Sequence, residues 1–230
     1  MKLLLTSSGI TNDTLARELE SLAGKKFNEL NIAFIPTAGL CDMGEKGWLI
    51  YDMSRLKNRG AEIDIVDIAQ LPESDIIKRL EWSDVIFVGG GNTFYLSYWM
   101  QKSGLFDTLP KLLETRVYAG ISAGSMVASS TIRTASQAYK SEHFYDESYE
   151  EFGPEGRSSA GSMKWVDFAF RPHLNSRYFP EVTQDKMQKI ADVINVDMYV
   201  VDDDCAVKVD GDDVSVVGDG EWYLLNPTEG

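Results

Sequence analysis

The chain has 230 residues, and its 22 Lys and Arg against 36 Asp and Glu give a formal net charge of −14. Such an acidic balance disfavours nucleic acid and anionic membranes as partners, because both select a basic protein face. The two cysteines, Cys41 and Cys205, indicate neither a disulfide framework nor a zinc site. The apolar start Met1–Leu5 is too short for a signal peptide, and no run reaches the length of a membrane span. We therefore expect a cytoplasmic protein with neither cofactor nor metal ion.

Short apolar strands alternate with helix-period segments through the first half of the chain. The predicted strands are Lys2–Thr6, Asn31–Pro36, Glu62–Asp67, Asp84–Val88 and Val117–Ile121. The predicted helices between them are Thr11–Leu22, Gly44–Asn58, Glu73–Trp82, Thr93–Lys102 and Phe106–Glu114. This alternation predicts βαβ crossovers, hence an α/β fold with a mainly parallel sheet and helices on both faces. Sheets of this kind place their sites at the carboxyl ends of the strands.

The rest of the chain has a different pattern. Residues 129–164 are rich in Ser, Tyr, Glu and Gly, which predicts a long loop beside the site, with Tyr139, Tyr145 and Tyr149 as candidates for the substrate pocket. A strand over 164–170 and a helix over 180–195 follow. Four strands end the chain, at 198–202, 205–209, 214–217 and 221–225, and predict an antiparallel edge. No linker is visible, so we expect a single domain over 1–230.

The strongest local signal is the pentapeptide Gly120-Ile121-Ser122-Ala123-Gly124. In a nucleophile elbow of the Gly-x-Ser-x-Gly type, the serine lies on a sharp turn from strand to helix, and small neighbours relieve crowding there. A strand-like run precedes this segment and a helix-compatible run follows it. The alternative is a glycine-serine turn that only caps a helix. We interpret Ser122 as a nucleophile.

A serine hydroxyl needs a base, and the chain offers only two histidines. His143 lies in an acidic loop, whereas His173 directly follows a predicted strand and is the favoured base. The carboxylate that orients the imidazole is expected in Asp202-Asp203-Asp204, although strand alternation does not choose among the three. For the oxyanion, the N–H of Ala123 is one candidate donor, and Gly89-Gly90-Gly91 supplies a second.

Taken together, several segments resemble the aspartyl dipeptidase (peptidase E) family of serine peptidases. They are Val88–Phe94 (VGGGNTF), Gly120–Ser125 (GISAGS), Arg171-Pro172-His173 and Val200–Ala206 (VVDDDCA). The resemblance implies a flavodoxin-like, three-layer fold related to class I glutamine amidotransferases. It also implies a triad of Ser122, His173 and Asp203, with oxyanion donors at Gly90 and Ala123. Family members commonly have Glu at the position of Asp203.

The substrate is less well defined. The resemblance implies a small peptide, and Asn92 and Lys186 are candidate substrate-binding residues, although the arginine that peptidase E uses for aspartate is absent from the predicted helix after His173. We expect a monomer or homodimer that hydrolyses small peptides. The alternatives are a non-catalytic binding module on the same fold, favoured if His173 lies out of reach of Ser122, and a protein with a cysteine nucleophile.

Overall fold

The computed structural model describes residues 1–41, 43–135 and 161–227. Ten strands lie within these ranges. They are β1 (Lys2–Thr6), β2 (Asn31–Ile35), β3 (Glu62–Ile65), β4 (Val85–Val88), β5 (Val117–Ile121), β6 (Ala169–Arg171), β7 (Met198–Val201), β8 (Cys205–Asp210), β9 (Asp213–Gly218) and β10 (Trp222–Leu225). The helices are α1 (Asp13–Ala23), α2 (Gly47–Asn58), α3 (Glu73–Trp82), α4 (Thr93–Lys102), α5 (Leu105–Leu112), α6 (Ala123–Ala128) and α7 (Gln184–Ile194).

A seven-stranded sheet forms the centre of the molecule, in the order β3-β2-β4-β5-β1-β8-β9. Its first five strands are parallel, and β8 and β9 continue it as an antiparallel edge. Helices cover both faces, which confirms the predicted α/β fold. The sequence of β1 is apolar at successive positions because both faces of this strand are buried. Leu3 and Leu5 pack on one face, Leu4 packs on the other, and all three are fully buried.

The topology creates a crevice between β1 and β5. These strands are parallel neighbours, yet the helices that follow them lie on opposite faces of the sheet. Leu15 and Leu19 of α1 belong to one core, and Met126 and Val127 of α6 belong to the other. The chain therefore leaves the two carboxyl ends in opposite directions, which is the usual place for a binding site in such a sheet.

A second, three-stranded sheet has the order β10-β7-β6. It packs against α7 around a separate core that includes Leu174, Met187 and Met198. The segments 198–202 and 221–225, expected at the antiparallel edge, form β7 and β10 of this sheet instead. These two segments do not join the large sheet because β7 pairs on one side with β10, antiparallel, and on the other side with β6, parallel.

The predicted strand over 164–170 is confined to β6. Lys164 has a left-handed backbone (φ +52°), and the N–H groups of Met163 and Trp165 donate to the carbonyls of Val127 and Ala128 at 2.7 and 3.1 Å. This segment therefore satisfies the last carbonyls of α6 rather than a neighbouring strand. The predicted helices from 44 and 180 begin later, at Gly47 and Gln184.

The part of the long predicted loop that spans 136–160 lies outside the described residues, together with His143 and the three tyrosines named for the pocket. Across the described ranges, each helix is too short or too polar to cross a bilayer.

Candidate active site

Ser122 lies on a strained turn between β5 and α6. Its backbone is left-handed (φ +48°), and its carbonyl accepts the N–H groups of Ser125 and Met126, both at 2.9 Å, which starts the helix. The flanking glycines are sterically required. A Cβ on Gly120 would come within 2.5 Å of the Ser125 nitrogen, and one on Gly124 within 2.2 Å of the Val88 carbonyl oxygen. The strand-turn-helix geometry of a nucleophile elbow is therefore present.

A continuous hydrogen-bonded row connects Ser122 to a carboxylate. The Ser122 hydroxyl lies 3.0 Å from His173 Nε2, and His173 Nδ1 lies 2.7 Å from Asp203 Oδ1. Both distances are within the range in which nucleophile, base and orienting acid exchange hydrogen bonds. The imidazole is also stacked on Phe179, with ring centroids 4.2 Å apart and planes 10° apart. The condition that would favour a binding module, a His173 ring out of reach of Ser122, is not met.

The three aspartates of the acidic turn have different surroundings. Asp202 accepts the N–H groups of Asp204 and Glu221 at 3.0 and 2.6 Å, so its carboxylate shapes the turn. Only Asp203 contacts the imidazole. Burial opposes ionisation of Asp203, but hydrogen bonds from His173 and Ser7, with the attraction of the imidazole, hold its pKa below the usual value. Asp203 is therefore a carboxylate at neutral pH.

Within the described part of the chain, the backbone N–H groups of Gly90 and of Ala123, the residue after Ser122, have no hydrogen-bond acceptor. A Cβ built on Gly90 would lie 3.4 Å from Ser122 Cβ, so this glycine lies against the turn that carries Ser122. The next residue, Gly91 (φ +131°), could carry no side chain, because a Cβ would meet the Ala38 carbonyl oxygen at 2.2 Å. Glycine at position 91 thus lets this loop pack closely against the backbone of Ala38.

These groups line a cleft of about 1210 Å³. Asn92 lies at its wall, but its side-chain oxygen accepts the Tyr95 N–H at 3.0 Å and so caps α4. Lys186 lies on α7 in an ion pair with Glu181 and does not line the cleft. Of the two weaker candidates for substrate binding, the structure therefore brings only Asn92 to the site.

The charged side chains of the cleft wall were not predicted from the sequence. Asp52 of α2 is 11% exposed and lies 3.5 Å from the Arg55 guanidinium. Burial raises the pKa of Asp52 to about 7, against the lowering effect of Arg55 and with a further raising effect of Asp203. Arg55 itself donates to the Ser8 carbonyl at 2.8 Å. Arg177 also lines the cleft, where its guanidinium lies over the Tyr178 ring. No motif in the sequence marks these residues.

Neither of the two cysteines, Cys41 and Cys205, lines the cleft that contains Ser122. Cys205 is buried, and burial, assisted by the Asp202 carboxylate, raises the pKa of its thiol to about 12. A protonated thiol is a poor nucleophile. The described residues contain no cluster of three His, Cys, Asp or Glu side chains with metal-binding geometry.

Ser7 is a further residue that the sequence interpretation missed. It follows β1, is fully buried and contacts both His173 and Asp203. The run Thr6-Ser7-Ser8-Gly9 at the end of a strand was a usable signal, because polar residues in that position reach the carboxyl edge of the sheet.

Comparisons with known proteins show the family to which the chain belongs. The family model of peptidase family S51 matches residues 3–217. An uncharacterized peptidase of Listeria monocytogenes, Lmo0363, is 29% identical over 79% of this chain and 82% of its own. Peptidase E of a Nostoc species is 26% identical over 97% of this chain and 87% of its own. The crystal structure of a peptidase from an acI-B1 actinobacterium superposes with a TM-score of 0.69 and 20% identity, over 97% of this chain and 90% of that one. The chain belongs to peptidase family S51 and is a serine-type peptidase.

Proposed function

We propose that the protein hydrolyses small peptides through a triad of Ser122, His173 and Asp203 and a covalent acyl-enzyme. The observation that carries this proposal is the unbroken row from the Ser122 hydroxyl through the imidazole to the Asp203 carboxylate, with contacts of 3.0 and 2.7 Å. A carboxylate beside Nδ1 keeps the proton there and leaves the Nε2 lone pair directed at the hydroxyl.

In acylation, Ser122 Oγ attacks the peptide carbonyl carbon while its proton passes to His173 Nε2. The carbonyl oxygen becomes an oxyanion, which the unpaired N–H groups of Gly90 and Ala123 stabilise. His173 then gives the proton to the leaving amine, and the carbon–nitrogen bond breaks. Asp203 stabilises the imidazolium during these transfers without taking the proton.

In deacylation, a water molecule replaces the departed amine. His173 Nε2 takes one proton of this water as its oxygen attacks the ester carbonyl, and the same N–H groups hold the second oxyanion. The proton returns to Ser122 Oγ as the ester bond breaks. The products are a carboxylic acid and the regenerated serine, so the cycle consumes one water for each peptide bond.

A short substrate is favoured by the shape of the site. The cleft of about 1210 Å³ exceeds the usual size of small-molecule sites only slightly, so it accommodates a peptide of a few residues. Its wall carries both acidic and basic side chains, represented by Asp52 and Arg177. These groups are available to bind the charged termini or side chains of a short peptide.

The proposal is tested with a fluorophosphonate probe and a library that contains both short and long peptides. We expect the wild type to be labelled at Ser122 and to cleave part of the library. Ser122→Ala should abolish both activities, and His173→Ala should slow labelling by at least about 100-fold. Retained labelling or cleavage in Ser122→Ala would exclude this serine as the nucleophile. Cleavage restricted to long peptides would overturn the substrate class.

A further inference from the structure

The buried hydroxyl of Ser7 joins the two residues that activate Ser122. It donates a hydrogen bond to Asp203 Oδ1 at 2.7 Å and accepts the backbone N–H of His173 at 2.8 Å. We propose that Ser7 is a positioning residue of the active site, whose hydroxyl fixes Asp203 and the His173 backbone in the one arrangement that directs Nε2 at Ser122. This inference rests on the proposed triad.

The contact connects three separate parts of the chain. Ser7 follows β1 of the large sheet, His173 follows β6 of the small sheet, and Asp203 lies in the turn between β7 and β8. In the described chain, Ser7 is the one side chain that forms hydrogen bonds with both His173 and Asp203. A single hydroxyl therefore sets the position of the acid and base relative to the strand edge that carries Ser122.

The backbone of His173 needs this support. Its φ of +68° is in the left-handed region, which a non-glycine residue adopts only where surrounding contacts fix it. Three other backbone hydrogen bonds act on this turn: the N–H groups of Leu174, Asn175 and Ser176 donate to the carbonyls of Val201, Val182 and His173 at 3.0, 2.8 and 3.1 Å. Ser7 is the contact that holds the His173 N–H itself.

The Asp203 carboxylate, which the Ser7 hydroxyl holds in place, selects the imidazole tautomer. The hydroxyl oxygen accepts from the His173 backbone, and its own proton is directed to Asp203 Oδ1. The same Oδ1 lies 2.7 Å from Nδ1, and an ionised carboxylate can only accept there. Nδ1 therefore carries the proton, and Nε2 is the free base toward Ser122.

Ser7 has no direct role in substrate binding in this arrangement. It is fully buried, and it does not line the cleft, whereas its neighbour Ser8 does. Removing the hydroxyl should therefore slow the chemical step and leave substrate affinity unchanged. A displaced catalytic group typically slows a reaction by about 10- to 100-fold.

The experiment measures the rate of fluorophosphonate labelling of Ser122 between pH 5 and pH 9, which needs no known peptide. We expect Ser7→Ala to slow labelling about 10- to 100-fold. We also expect the acidic limb of its pH profile to move to higher pH, because a carboxylate that has lost the Ser7 donor holds the imidazolium more strongly. Ser7→Cys keeps the size and a weak donor, so its rate should lie between those of wild type and Ser7→Ala.

The matched control is Ser129→Ala, which also removes a fully buried hydroxyl, one that donates to the carbonyls of Met126 and Thr131 at 2.7 and 2.9 Å. Its labelling rate should stay within about twofold of wild type even where its Tm falls. A Ser7→Ala rate within twofold of wild type overturns the proposal, as does a slower rate with an unmoved acidic limb. If Ser7→Ala does not fold, a wild-type rate in Ser7→Cys overturns it.

Failure of this inference is distinguishable from failure of the proposed triad. The triad fails if Ser122→Ala is still labelled. The role of Ser7 fails if Ser122→Ala is unlabelled while Ser7→Ala reacts like the wild type.

Discussion

Asp52 should lower the stability of the folded protein at neutral pH. Burial raises its pKa from 3.8 to about 7, despite the nearby Arg55 guanidinium. A group that binds its proton more tightly when folded stabilises the protein below its unfolded pKa, and this stabilisation disappears as the pH rises to the folded pKa. The difference between the two values corresponds to about 4 kcal/mol at about 1.4 kcal/mol per pKa unit. Most of this loss occurs between pH 4 and pH 7.

The Asp52→Asn variant tests this expectation, because the amide keeps the shape of the side chain and does not titrate. Urea unfolding of wild type and variant at pH 5 and pH 8 gives four free energies of unfolding. We expect the free energy of unfolding of Asp52→Asn, minus that of the wild type, to increase by roughly 3 kcal/mol from pH 5 to pH 8. Taking the difference between the two proteins cancels the titration of every other group that the exchange leaves unchanged.

Asp64→Asn is the matched control. Asp64 also pairs with an arginine, Arg79, at 3.0 Å, but its side chain is 34% exposed. Pairs of this kind contribute at most about 1 kcal/mol. The expectation is refuted if the difference in free energy of unfolding between Asp52→Asn and the wild type changes by less than about 1 kcal/mol between the two pH values, as it should for the control. The carboxylate would then be hydrated or fully compensated by Arg55.

Three further variants address the site. Asp203→Asn should slow fluorophosphonate labelling by roughly three orders of magnitude, because an amide no longer fixes the imidazole tautomer; a rate near wild type would exclude Asp203 as the acid. Gly124→Ala should lower the free energy of unfolding by about 1–3 kcal/mol and slow labelling, because the added Cβ is crowded at the elbow. Gly24→Ala, which has open space around its Cβ, should leave labelling unchanged. Equal labelling rates in the two variants would contradict the crowding at the elbow. Phe179→Leu should slow labelling about 2- to 10-fold through the lost stacking on His173, and an undiminished rate would show that the stacking does not orient the ring.

The sheet and its helices could be predicted because their signals are local. The apolar run of β4 and the capping residue Asn12 before α1 determine their elements without distant contacts. The second sheet could not be predicted in this way. The segments of β7 and β10 look like any short strand, and their exclusion from the large sheet depends on pairing with each other and with β6.

The residues of the site differ in the same way: some have a local sequence signal, and others depend on distant contacts. Ser122 was visible because its motif is contiguous, and His173 because the chain has few histidines. Asp203 was separable from Asp202 and Asp204 only by resemblance, since a one-residue shift in a turn redirects each carboxylate. Asp52 carries no motif, because it reaches the cleft through tertiary packing. The polar run that contains Ser7 marks the end of a strand but does not show which residues Ser7 contacts. The catalytic roles and the single-domain organisation stay predictions.

The division of the site between two sheets has a consequence for synthesis of the chain on the ribosome. Ser122 belongs to the large sheet, whereas His173 follows the small sheet and Asp203 precedes β8. A nascent chain that has formed only its amino-terminal strands thus carries Ser122 without His173 and Asp203. With the proposed triad, hydrolytic activity arises only when the last third of the polypeptide has emerged and docked, so incomplete chains would release no active protease into the cell.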